Sequence, residues 1–77
     1  MLIDLNDPKN VESRGDVPSD VRYLVEVPLI KGEPTPPFFR HSAGQGTWMR
    51  DPFAGHRAND SLTSFSFARP ATPEEMQ

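Results

Sequence analysis

The sequence predicts a mainly β fold, small β or α+β. It should be an antiparallel sheet of three to four strands with a short N-terminal helical turn and a loose C-terminal tail. Three observations carry this. Residues 21–27 alternate in the two-residue period of a half-buried strand. Nine prolines and five glycines break the chain into short runs. No stretch supplies the crossover helix of about a dozen residues that parallel strands require.

The elements follow in chain order. Asp7-Pro8 and Arg14-Gly15 read as the two ends of one short helix. Asp7 would cap free N–H groups, Pro8 fits the first helical position, and Gly15 suits a left-handed exit. Between them only Val11 is apolar, so this element is a surface turn of 3₁₀ character. Asp16 to Asp20 is turn chemistry.

Residues 21–27 make the best strand. Val21, Tyr23, Val25 and Val27 share one side, expected to be buried; Arg22 and Glu26 take the other, with Leu24 between them. Pro28 ends it. Lys31 to Pro37 is a loop, because Pro34, Pro36 and Pro37 favour extended backbone and forbid a helix. Phe38 to His41 is a short strand, 42–46 a glycine-bearing hairpin turn, and Thr47 to Arg50 the returning strand. Residues 51–60 are loop. Ser61 to Arg69 is the last strand, with Phe65 and Phe67 on one side and Ser64 and Ser66 on a solvent side, and Pro70 stops it. Thr72-Pro73-Glu74-Glu75 is a capping-box helix start with almost nothing after it, so a frayed tail is expected.

All 77 residues fit one small domain, with an ordered centre at about 17–70. Leu, Ile, Val and Phe make up 17 of the 77 residues, near the roughly 20% below which chains tend to disorder. Such a marginal domain gains from self-association or from docking on something larger. There is no cysteine, which removes disulfides and thiolate metal sites. The first eight residues lack the basic and apolar regions of a leader, and no apolar stretch reaches membrane-spanning length. The expectation is therefore a cytoplasmic protein with no membrane partner.

Charge is uneven. Residues 1–26 sum to −3, residues 27–70 to +2, and Glu74 and Glu75 follow in the tail. The acidic front (Asp4, Asp7, Glu12, Asp16, Asp20) and the basic centre can pair with each other or face partners of opposite sign.

Chemistry-bearing sets are sparse. His41, Ser42 and Asp51 have the residue types of a triad but no framing motif. His41, His56 and Asp51 have the types of a metal set without the short ligand spacing that fixes one cheaply. Gly44-Gln45-Gly46 lacks the lysine and the helix of a phosphate loop. The expectation is a non-enzymatic chain with no cofactor and no metal.

The segment from Phe38 to Arg57 is the richest. It interleaves aromatic residues, methionine and arginine, as interface centres do. Phe38 and Phe39 are neighbours on a strand and point to opposite sides, so at least one must be exposed or covered from outside the strand. The expected contact residues are Phe39, Arg40, Trp48, Arg50, Phe53 and Arg57, with the acidic front as a second surface. The expected partner is another protein, or a second copy of the chain. The alternative is single-stranded nucleic acid stacked on the Arg–aromatic strip, against which the acidic pI near 5.2 counts. A small, acidic, cysteine-free domain without a catalytic set is similar in profile to many small phage-encoded inhibitors, anti-CRISPR proteins included. That profile implies occlusion of a target surface, in the host cytoplasm.

Overall fold

The computed structural model describes residues 2–7, 14–42, 47–52 and 55–76. Five antiparallel strands form one sheet: β1 (Leu2–Asp4), β2 (Tyr23–Val27), β3 (Phe38–His41), β4 (Met49–Arg50) and β5 (Phe65–Pro70), in the order β1-β2-β5-β3-β4. Two 3₁₀ turns, Asp60–Leu62 and Glu74–Met76, accompany it. The fold is mainly β, as expected. The additional strand is β1, whose three residues are too few to display a period.

Directly opposed residues share a face, so the register sorts the side chains. Ile3, Leu24 and Pro70 lie in one row, and Glu26, Ala68, Phe38 and Arg50 in a second row on the same inner face. Leu2, Val25 and Arg69 form a row on the opposite, outer face, as do Val27, Phe67, Phe39 and Met49. Tyr23, Val25, Val27, Phe65 and Phe67 do share one face, as the alternation implies.

The deeper burial is on the other face. Leu24 and Ala68 are completely buried, whereas on the outer face Phe67 is buried but Tyr23, Val25 and Val27 are only half-buried. Ile3, Leu24, Phe38 and Ala68 form the floor of the core, and Leu5, Val17 and Trp48 close it from irregular segments, with Val21 packed alongside. The expected solvent side of the last strand is therefore corrected: it carries Ala68. That strand also begins at Phe65 rather than Ser61, because Asn59 accepts from the Ser61 N–H and winds 60–62 into a 3₁₀ turn.

The segment before β2 is fastened to the strip beside β4. The Asp16 N–H donates to the Trp48 carbonyl (2.9 Å), and the Arg50 N–H donates to Asp16 Oδ2 (3.0 Å). Arg14 Nη2 donates to the carbonyls of Pro18 (2.9 Å) and Val21 (3.0 Å), holding the turn that carries Val17. Gly15 sits between these contacts at φ +51°. A Cβ there would lie 1.9 Å from the Trp48 carbonyl oxygen and 2.2 Å from Thr47 Cγ2. The positive φ agrees with the expected left-handed exit at Gly15; the helix expected before it falls mostly on residues outside those described.

On the outer face, residues 31–35 and 56–58 pair as a short ribbon. Gly32 N–H donates to the Ala58 carbonyl (3.0 Å), Ala58 N–H to the Glu33 carbonyl (2.9 Å) and Thr35 N–H to the His56 carbonyl (2.7 Å). The tail, expected to be loose, is held at one point. Both Glu75 carboxylate oxygens accept from Arg69 (2.7 and 2.9 Å), and Oε1 also accepts from the Thr72 N–H (2.9 Å), which completes the capping box.

Gly15→Ala should lower stability by roughly 2 kcal/mol or more, from positive φ plus the clash. Urea unfolding followed through Trp48 emission measures it, and an unchanged midpoint would remove the close approach from the account. Glu75 is held at a pKa of about 2, against an ordinary 4.5, first by its hydrogen bonds from Arg69 and then by the Thr72 N–H. A depressed carboxyl pKa gives stability that is present above about pH 4.5 and lost as pH falls toward about 2. Amide exchange in residues 71–76 should therefore speed up across that window in the wild-type chain. The Glu75→Gln variant should exchange fast throughout.

Candidate functional site

The outer face is where apolar surface remains uncovered. The row Val27–Phe67–Phe39–Met49 crosses four strands; within it Phe67 is buried, Val27 and Phe39 are half-buried, and the end residue Met49 is 51% exposed. Leu2, in the neighbouring row, is also exposed. Phe39 packs edge-to-face on Phe65 (centroids 5.6 Å apart, 89° between planes) and tilted against Phe67 (6.2 Å, 36°). His41 adds an edge contact to Phe65 at 5.9 Å. The rings form a cluster because β3 and β5 are neighbours in the sheet and the period of two brings Phe39, Phe65 and Phe67 to the same side.

A recess of about 300 Å³ lies between this cluster and the segment that crosses the outer face. Phe39, Phe65 and Phe67 line it from the sheet, with Pro52 and Leu62 from the crossing segment. Thr35, Asp51 and His56 make its polar side. Thr35 is buried, and its hydroxyl donates to Asp51 Oδ2 (2.8 Å) while its N–H donates to the His56 carbonyl. Thr35 is thus the residue that fixes the polar side, and the sequence gives no signal for it beyond a threonine between prolines.

The structure distributes the expected contact residues over two faces. Phe39 is half-buried on the outer face, and Phe38 is buried on the inner one. The opposite orientation of the pair follows from strand geometry, as anticipated. Trp48 is a correction: it is completely buried, so its ring is core and offers no contact surface. Its Nε1–H is buried without a hydrogen-bond partner among the described residues. Arg40 lies over the Trp48 ring at 4.5 Å, and exposed Arg50 stands 5.9 Å from the Phe38 ring centroid, both on the inner side. Arg57 is exposed in the ribbon and donates to the Gly32 carbonyl. Phe53 lies outside the described residues.

The acidic front divides as well. Asp4 Oδ1 accepts from the Asn6 N–H (2.9 Å), and the carboxylate also meets Arg22 at 3.4 Å. These contacts, the backbone one foremost, hold the Asp4 carboxyl below its usual range. Asp16 is spent on the Arg50 N–H. Asp7 is half-buried and Asp20 exposed, while Glu12 lies outside the described residues.

The residue types of a triad are drawn apart. The Ser42 hydroxyl donates to the Ser64 carbonyl (2.9 Å), Asp51 accepts from Thr35, and His41 sits against Phe65. Among the described residues, no group of three or more His, Asp or Glu side chains is placed to hold a metal ion. No helix among them is long and apolar enough to cross a membrane. The Gly44-Gln45-Gly46 turn lies outside the described residues. No family model, curated protein or solved structure matches this chain.

The two aspartates that flank the 16–20 turn should behave differently. Asp16→Ala leaves the Arg50 N–H without its acceptor and should cost about 1 kcal/mol. Asp20→Ala should fall within about 0.5 kcal/mol of wild type. Urea midpoints of the two single variants decide; equal values would show that the Asp16 contact contributes nothing.

Proposed function

We propose that this chain is a non-enzymatic protein-binding module that acts by occlusion, as an inhibitor that covers a functional surface of its target with the outer sheet face. The observation that carries this reading is the apolar row Val27–Phe67–Phe39–Met49, which ends on a half-exposed methionine. The Trp48 core closes on the other face without these residues. Aromatic and methionine side chains set in a polar surround are the composition of interface centres. The recess beside Phe39 adds a hole for an anchor side chain, which is how a few residues come to dominate an interface.

The nucleic-acid alternative needs arginines interleaved with accessible rings. Here Arg40 lies on a buried tryptophan and Arg57 is engaged with the backbone of Gly32, so the strip offers less to bases than its sequence suggests. That weighs toward a protein partner. The acidic residue that remains most available, Asp20, adds a rim contact that would speed association with a basic target more than it would tighten it.

The test is co-purification of the tagged full chain from its own host, with and without nuclease. A stoichiometric protein band that survives nuclease is the expected result. Met49→Lys should reduce its recovery by roughly tenfold or more, while Trp48 emission and the urea midpoint stay as in wild type. Lysine is well tolerated on an edge strand, so the loss would report on contact rather than folding. Material that absorbs as nucleic acid and disappears on digestion would overturn the reading.

A further inference from the structure

The recess beside Phe39 has the chemistry of a site for one kind of side chain. Its volume, about 300 Å³, is twice the roughly 150 Å³ of an apolar cavity that accepts benzene. A two-ring group fits, and a single methyl-bearing side chain would leave most of it unfilled. The sheet supplies aromatic walls in the Phe39–Phe65 edge-to-face pair and the Phe67 ring. Such walls favour an aromatic guest, which can set its edge against a face as Phe39 and Phe65 already do.

The remaining side is polar and acceptor-rich. Asp51 is held in place through its Oδ2 by the buried Thr35 hydroxyl, and Thr35 is in turn anchored by its N–H to the His56 carbonyl. A carboxylate has about four lone-pair sites over its two oxygens and donates nothing when ionised. It can therefore serve a guest's N–H or O–H in addition to the partners it already has. An apolar pocket with one fixed acceptor on its wall selects a ring that carries a donor. A plain hydrocarbon gains no such hydrogen bond, whereas a ring bearing a donor keeps its polar group answered inside the recess.

We propose that this recess binds an aromatic ring bearing an N–H or O–H donor, supplied by the partner protein as a tryptophan or tyrosine side chain with the donor directed at Asp51. The assignment rests on the protein-binding reading and names the anchor it uses. Trp and Tyr are the anchors that best combine a large rigid apolar body with a single polar tip.

The experiment is a titration of the ¹⁵N-labelled full chain, followed by amide chemical shifts, with indole, 1-methylindole and N-acetyltryptophanamide as probes. Indole should move the amides of Thr35, Phe39, Leu62, Phe65 and Phe67. 1-Methylindole, which keeps the rings and loses the donor, should bind roughly threefold to tenfold more weakly. N-acetyltryptophanamide, which carries a peptide unit on each side of the residue, should bind at least as well as indole. Leu62→Phe, which narrows the recess, should weaken all three probes while the amides of Leu24 and Ala68 keep their wild-type shifts. Shifts outside the recess, no shifts at all, or equal affinity for indole and 1-methylindole would each overturn the proposal. Binding of indole with exclusion of N-acetyltryptophanamide would overturn the side-chain source and leave a site for a free small molecule. The co-purification experiment is independent of these arms: a captured protein with no indole binding sinks this assignment alone, and indole binding with no captured protein sinks the module reading.

Discussion

The burial of Trp48 is the constraint on which the rest of the structure depends. The ring stands just before a two-residue strand, so nothing in β4 itself holds it inward. It is held from three sides: Arg40 across its face, the Gly15–Asp16 backbone against its carbonyl, and Ile3, Leu24, Phe38 and Ala68 beneath. A side chain of this size removes about 200 Å² from water, worth about 5 kcal/mol of transfer free energy. The indole N–H, which finds no acceptor among the described residues, opposes that by about 1–3 kcal/mol. Burial therefore wins by about 2–4 kcal/mol, a sizeable fraction of the roughly 5–15 kcal/mol that holds a small domain folded. The close approach at Gly15 lets the 14–16 segment lie against the Trp48 backbone, since a Cβ there would run into the Trp48 carbonyl oxygen and Thr47 Cγ2.

Much of the sheet was legible in the sequence because strand alternation is a local property. Tyr23, Val25, Val27, Phe65 and Phe67 do share a face, and Phe38 and Phe39 do part company. Which face would become the deeper core was not legible. Leu24 is one residue among neighbours that look more strand-like, and the groups that bury it (Leu5, Val17, Trp48) sit in turns whose placement depends on long-range contacts. β1 was missed for the same reason: three residues gain a strand only from the partner they meet.

The candidate site was legible in part. The aromatic content of 38–57 drew attention to the segment that holds Phe39, and strand geometry set Phe39 on the face opposite Phe38, where it is half-buried. The arginines are harder to read, because arginine enriched at an interface and arginine stacked on a core ring look alike in sequence. Arg40 and Arg50 both stand near rings on the inner side. The recess itself was invisible. It arises where Leu62 and Pro52, far apart from Phe39 in the chain, arch over the sheet, and Thr35 fixes its polar wall through a hydroxyl whose role no local pattern announces.

Asp16 has a further consequence for how copies of this chain can meet. The outward-pointing Arg50 N–H and Trp48 carbonyl at the β4 edge are both taken by Asp16. A ribbon that grows by adding strands head to tail requires two receptive edges on every unit. With one margin of the sheet plugged by a single carboxylate and its own N–H, any edge-to-edge pairing must use β1. Pairing of β1 with β1 consumes both receptive margins at once. Such a pairing would close at two copies and, among the described residues, leave no second receptive sheet edge for a further copy.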